Sequence, residues 1–274
     1  MQEEVLLRTV NGTRALQISA YPDGMPLVKD ELPSDAPFKA LVRPRSLASF
    51  MAFLFWYDAL GERGGAGIDL VLPFVPGARQ DRLNPRGDFL FTVKSVAELL
   101  NSRGFNRITV LDPHSEVTPA LIDRCHVVSA ADCIDPPVGK YAAVVSPDAG
   151  AEKRASAVAK KLGVPILHAW KLRDLTTGEL TGFGMEPTHL PLDSLVLVVD
   201  DICDGGGTFI GLADELDRAG LKAHLWVTHG IFSKGTAPLL ARFRHVYCTD
   251  SVDGPRDGII EIPVCKRLLG DFHA

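Results

Sequence analysis

The chain has 274 residues, of which 23% are charged and 46% apolar, with a formal net charge of -5 at neutral pH. That length holds one large α/β unit or two ordinary domains. The acidic balance argues against a nucleic-acid partner held by phosphate neutralisation. The opening MQEEVLLRTV carries acid where a secretory leader carries base, and it has no long apolar core, so a cytoplasmic protein is expected.

In chain order, the most apolar stretch is SLASFMAFLFWYDAL, Ser46 to Leu60. It is too short to span a bilayer and is bounded by charge, so it predicts a buried helix or subunit contact, with no membrane partner. From about Ile68 onward short β-branched runs alternate with helical stretches, the pattern of parallel strands joined by crossover helices. IDLVLPFV, RITVLD, YAAVVSP, LVLVVDD and KAHLWVTH are the clearest strands. FTVKSVAELLNSRG and AEKRASAVAKKLG read as helices, each closed by a glycine. AADCIDPPVGKY, Ala130 to Tyr141, loses periodicity and gains prolines, which predicts a hinge and two domains, 1–135 and 136–274. The halves look alike, each with a strand ending in a polar loop, a helix, and a strand ending in acid, as duplication of one βα module would leave them. Cys125, Cys133, Cys203, Cys248 and Cys265 have no paired spacing, so neither a disulfide framework nor a zinc site is suggested.

The stretch LVLVVDDICDGGGTFIG, Leu195 to Gly211, carries the chemistry. Ligands of open α/β sheets gather beyond the carboxyl ends of the strands, and this apolar run delivers Asp200 and Asp201 to such an end. Two adjacent acids repel, which is tolerable when they accept hydrogen bonds from vicinal hydroxyls or bind a divalent cation. The glycines then let the backbone approach a ligand, and the amides at the next helix's start point at an anion. A phosphorylated sugar satisfies both halves. No lysine follows the glycines, which excludes a Walker loop, and the spacing fails the dinucleotide fingerprint. A plain strand–loop–helix corner, its acids capping the helix, is the alternative.

VVDDICDGGGT resembles the phosphoribosyl-pyrophosphate loop of type I phosphoribosyltransferases and of ribose-phosphate pyrophosphokinases. PFVPGARQDR is similar to the ATP-site segment of the pyrophosphokinases, VLDPHS to their Asp-x-His metal motif, VVSPDAGAEKRA to their Pro-Asp-x-Gly segment, KLRD to their Lys-x-Arg loop, and VTHGIF to a late motif. The order is the family's, from about Tyr21 to Ser251. The resemblance implies an α/β fold of two similar type I phosphoribosyltransferase-like doubly wound domains with central parallel sheets.

It also implies roles. Tyr21 and Asp23 in YPDGM would join an adenine pocket shared with a neighbouring subunit of a homo-oligomer; Met25 stands where glutamate is usual. Arg79 and Gln80 would bind the nucleotide. His114 and Asp148 would be associated with Mg2+. Lys171 and Arg173 would be catalytic, on a mobile loop containing Gly178 and Gly182, and at i and i+2 of an extended segment they share a face. Asp200, Asp201, Asp204, Gly205, Gly206, Gly207 and Thr208 would hold the acceptor; Gly205 replaces the family's usual threonine. The reaction implied is Mg-dependent transfer of the pyrophosphoryl group of ATP to the anomeric hydroxyl of ribose 5-phosphate, giving phosphoribosyl pyrophosphate and AMP. The missing side chain at Gly205 also admits ADP-ribose as acceptor. Two rivals stay open: a phosphoribosyltransferase consuming that product, and a non-catalytic relative that binds the ligands and regulates a partner enzyme.

Overall fold

The computed structural model describes residues 5–29, 38–62, 67–83, 90–134, 141–173 and 180–270. The chain forms two compact units, 1–128 with 250–253 and 263–274, and 129–249 with 254–262. The expected division at 135/136 falls outside the described residues.

The first unit contains β1 (Val5–Thr9), β2 (Gly12–Ala15), β3 (Ile18–Ala20), β4 (Pro26–Val28), β5 (Lys39–Val42), α1 (Leu47–Glu62), β6 (Asp69–Val71), α2 (Thr92–Asn101), β7 (Arg107–Leu111), α3 (Val117–Leu121) and β8 (Cys125–Val128). Its six-stranded sheet has the order β2-β1-β5-β6-β7-β8. Strands β5 to β8 run parallel, while β1 lies antiparallel to both β2 and β5. The hairpin β3–β4 stands apart as its own two-stranded sheet. Helix α1 is buried along Phe50, Phe53, Leu54, Trp56, Tyr57 and Leu60, so the most apolar segment of the chain is a core helix. Its Tyr57 ring stacks on Phe105 at 4.4 Å. Strand β6 is shorter than IDLVLPFV predicts, because Pro73 offers no N–H to extend the ladder.

The second unit contains α4 (Ala130–Cys133), β9 (Ala143–Ser146), α5 (Glu152–Leu162), β10 (Ile166–Arg173), β11 (Leu180–Met185), β12 (Leu195–Cys203), α6 (Gly207–Arg218), β13 (Lys222–Gly230), α7 (Ala237–Leu240), β14 (His245–Thr249) and β15 (Ile260–Ile262). Its sheet has the order β11-β10-β9-β12-β13-β14-β15, parallel except for the edge pair β10–β11. Val145, Val198, Leu225 and Val246 line one face and form a core with Phe209, Leu212 and Leu216 of α6. Helix α5 buries Ala155, Val158 and Ala159 and ends on Gly163 in the left-handed region at φ 69°, as the glycine in its sequence predicts.

A last helix, α8 (Val264–Leu269), returns to the first unit. Lys39 donates to the Leu268 carbonyl at 3.1 Å, and buried Arg43 donates to the Asp250 carbonyl at 3.0 Å. The Cys265 amide in turn donates to Asp250 Oδ1 at 2.7 Å. These bonds tie the C-terminal segment to β5, a long-range attachment that no local pattern announces.

Two close approaches position the edge hairpin. Gly184 lies opposite Trp170, where an added Cβ would come within 2.5 Å of the indole nitrogen. Gly211 of α6 receives the Phe183 ring of β11, which would lie 2.0 Å from any Cβ there. Only glycine permits either contact.

Candidate active site

Strand β9 ends at Ser146 and the chain turns through Pro147 and Asp148 into α5. Asp148 is held from several sides. Its Oδ1 accepts the amides of Gly150 at 3.0 Å and Ala151 at 3.2 Å, and its carbonyl accepts the Ser146 hydroxyl at 2.8 Å. Its Oδ2 pairs with Lys171 Nζ at 2.7 Å. Both side chains remain about a quarter exposed, at 25% for Lys171 and 27% for Asp148, so they are open to a ligand.

One turn along α5 stands Arg154. Its Nη1 lies 3.3 Å from Asp200 Oδ1 and 3.5 Å from Asp201 Oδ1. The three side chains are 6–13% exposed. Asp200 Oδ1 also accepts the Asp201 amide at 2.8 Å. Burial raises the Asp200 pKa well above the ordinary carboxylate range; Asp201 adds to this, Arg154 opposes it, and Asp148 contributes a further repulsion. Asp148, which carries the Lys171 ion pair, is thus close enough to the acid pair to repel it. Sequence reasoning missed Arg154, although AEKRA lies in a motif it used; the partners are 46 positions apart and no periodicity joins them.

Beyond the acids, Asp204 Oδ1 accepts the Ser233 hydroxyl at 2.5 Å. Gly206 takes φ +77° as the N-cap of α6, with no side-chain cap bond. The first-turn amides of Gly207 and Thr208 have no earlier helical carbonyls to bond, which leaves them for a ligand. A Cβ at Gly207 would meet nothing within 4 Å, so the approach to those amides is open. Gly205 and Gly206 are covered by Lys234 and Leu239, 3.4 and 3.2 Å from where a Cβ would stand, so the opening lies at Gly207. Burial pushes the adjacent Cys203 thiol up to about 12, which removes it as a nucleophile.

Arg173 lies in β10, but a register shift between Leu172 and Arg173 interrupts the alternation on which the shared face with Lys171 was argued. Its side chain and residues 174–179, with Gly178, lie outside the described residues. Gly182 sits in β11 opposite Leu172, in a strand rather than in the expected loop.

The remaining expected residues belong to the first unit. Arg79 and Gln80 are exposed on the turn after β6; Gln80 Oε1 accepts the Thr92 hydroxyl at the start of α2. Asp112 directly follows β7 in a positive-φ conformation, φ 31°, and His114 is exposed in the loop beyond. Tyr21 is 52% exposed at the tip of the β3–β4 hairpin. Asp23 Oδ1 accepts the Met25 amide at 3.0 Å, so this carboxylate shapes its own turn.

Two parallel-centred α/β units, one with an acid-ended strand running into a glycine-capped helix, define a phosphoribosyltransferase-like protein. A family model described as phosphoribosyl transferase domain matches residues 130–246. Ribose-phosphate pyrophosphokinase of Thermococcus kodakarensis is 31% identical over 222 residues, covering 77% of this chain and 76% of that protein. The Pyrococcus furiosus enzyme of the same name is 28% identical over 267 residues, covering 93% and 92%. The crystal structure of phosphoribosylpyrophosphate synthetase from Mycobacterium smegmatis superposes with a TM-score of 0.77 at 25% identity, over 93% of this chain and 88% of that one. The chain belongs to the ribose-phosphate pyrophosphokinase family and is an enzyme of the pyrophosphotransferase type. Among the described residues no helix is long and apolar enough to cross a membrane.

Proposed function

We propose that this enzyme joins the anomeric oxygen of ribose 5-phosphate to the β-phosphorus of ATP. The bond from that phosphorus to the α,β-bridging oxygen breaks, AMP leaves with the electron pair, and the hydroxyl proton is released. The observation that carries this reading is the juxtaposition of Lys171–Asp148 with Arg154–Asp200–Asp201 beside an open, glycine-capped helix start.

Such a transfer needs alignment and neutralisation of spreading negative charge rather than a covalent nucleophile. Asp200 and Asp201 accept the vicinal sugar hydroxyls, and the loop Asp204 to Thr208 takes the 5-phosphate on its amides. Lys171, together with Arg173, supplies positive charge to the transferring group. On the family's pattern Arg79 and Gln80 bind the triphosphate and Tyr21 and Asp23 the adenine, in a homo-oligomer that shares this pocket. Mg2+ would add charge neutralisation on the triphosphate. Among the described residues no group of three or more acids, histidines or cysteines suits a caged ion. One or two carboxylates plus substrate phosphates is, however, the usual magnesium arrangement, so the donor set fits an ion that arrives with the nucleotide. Asp148 would hold it from the second unit; a magnesium role for His114, in the first unit, is what the family's pattern implies.

ADP-ribose is the second acceptor reading; the Lys234 stem covers Gly205, so its support is the open space at Gly207. AMP release, measured with ATP and Mg2+ and each acceptor in turn, decides between them. A product formed only with ADP-ribose overturns ribose 5-phosphate; ligand binding without AMP release with either overturns catalysis.

A further inference from the structure

The turn after β13 is stitched onto the acceptor loop. The amides of Ile231 and Phe232 donate to the Cys203 carbonyl at 2.9 and 3.0 Å, and the Ser233 amide donates to the Asp204 carbonyl at 3.2 Å. The Ser233 hydroxyl adds its bond to the Asp204 carboxylate. Phe232 is fully buried in a positive-φ conformation, φ 50°, and Gly235 at φ +78° closes the turn by donating to the Phe232 carbonyl at 2.8 Å. The segment is thereby fixed rather than draped. Its fixed geometry lays the stem of Lys234 across Gly205, with Cδ and Cε each 3.4 Å from where a Cβ would stand. A C–N bond of about 1.5 Å then puts the ammonium within about 5 Å of that point. Lys234 is exposed, and it forms no ion pair among the described residues.

We propose that Lys234 is a specificity-determining residue of the acceptor site, donating from the neighbouring turn to the phosphate on C5 of the acceptor sugar. Its ammonium takes over the contact that the bare Gly205 does not make. The inference rests on the acceptor reading of the loop given above. It makes acceptor affinity depend on charge and ionic strength, since a strongly hydrated point charge replaces a neutral hydroxyl donor. It also links positions 205 and 234: a threonine at 205 and the lysine stem compete for one space.

The test compares wild type, Lys234→Met, Lys234→Arg, Gly205→Thr and the Gly205→Thr/Lys234→Met double variant. Calorimetric binding of ribose 5-phosphate and of ADP-ribose is read beside KM and kcat, with thermal melts to confirm folding. Lys234→Met keeps the stem and removes the charge. It is expected to raise Kd and KM for the acceptor about 10- to 100-fold, the range of a lost charge-assisted hydrogen bond. The KM for ATP should not follow. Lys234→Arg is expected to retain most of the affinity, and the double variant to bind better than Lys234→Met alone. An acceptor Kd in Lys234→Met within twofold of wild type overturns the proposal while leaving the function intact. A loss felt equally by phosphate-free ribose also overturns it. Should wild type bind neither phosphorylated sugar, the acceptor reading fails, and the role of Lys234 falls with it.

Discussion

Both units set acid at the carboxyl end of a parallel strand, Asp112 just after β7 and Asp200 and Asp201 in the last four residues of β12, yet the two corners are built differently. In the first unit the chain after Asp112 crosses an irregular loop into a five-residue helix whose N-cap, Glu116, makes no side-chain cap bond. In the second it passes through a glycine N-cap into a twelve-residue helix. A helix of one turn has little aligned dipole to offer an anion, whereas α6 offers several turns of it. The acids differ as well. Asp200 and Asp201 share one arginine that rises from the preceding helix. Similar strand–helix units therefore do not imply similar chemistry: the second corner presents a buried acid pair beside open helix-start amides, and the first an exposed histidine and an arginine-bearing turn.

The most severe way to break this contrast is to remove the cation that pairs with Asp148. Lys171→Ala is expected to lower turnover by roughly 10²–10³, the scale of losing one preorganised transition-state donor; near-normal steady-state turnover would remove Lys171 from the chemistry. Next comes the acid pair. Arg154→Met strips the counter-charge from two buried carboxylates and is expected to cost about 3 kcal/mol in urea unfolding. Because burial already raises Asp200, and ionised oxygens are needed to accept sugar hydroxyls, acceptor binding should strengthen as pH rises. In Arg154→Met that rise should move to higher pH, while Arg154→Lys should largely restore it. An unshifted profile would reduce the arginine to packing.

A smaller effect tests the amino-terminal end of β13, opposite the loop. Buried His224 lies with Nδ1 2.9 Å from the Tyr141 hydroxyl, and its ring meets His245 edge-on at 4.7 Å. Burial, then the charges of His245 and Arg244, lower its pKa to about 4. The unfolded histidine, titrating near 6.5, binds its proton first, so stability should fall as pH drops from about 6.5 to about 4, by on the order of 1–3 kcal/mol. Denaturant midpoints across that window, in wild type and His224→Gln, check it; identical slopes would assign the loss elsewhere. Smallest of the four, Gly206→Ala forces a side chain into φ +77° and sets its Cβ 3.2 Å from Leu239. A loss of about 1–2 kcal/mol in melting stability is expected, and none at all would mean that the loop relaxes freely.

How much of this was legible from the chain itself follows from range. The β12–α6 corner was readable because its apolar run, paired acids and glycines are contiguous, and the ends of α5 because a glycine marks the C-cap. The antiparallel strands β1 and β2 and the edge strand β11 escaped, since short runs on a sheet edge alternate weakly and their pairing is set by register. Arg154 and Lys234 escaped for a related reason. Each reaches the loop from a different crossover, and only the sheet order brings α5, the β13 turn and β12 to one edge. The attachment of α8 to β5 through Asp250 likewise depends on partners more than two hundred positions apart in sequence.

The ring of Phe183 resting on Gly211 has a mechanical implication. It seats the hairpin that carries Lys171 against the shaft of α6, the helix that follows the glycine loop, so the two are packed as one piece. A methyl group at 211 would prise them apart, and an enzyme altered there should lose catalytic power with every reacting group still in place.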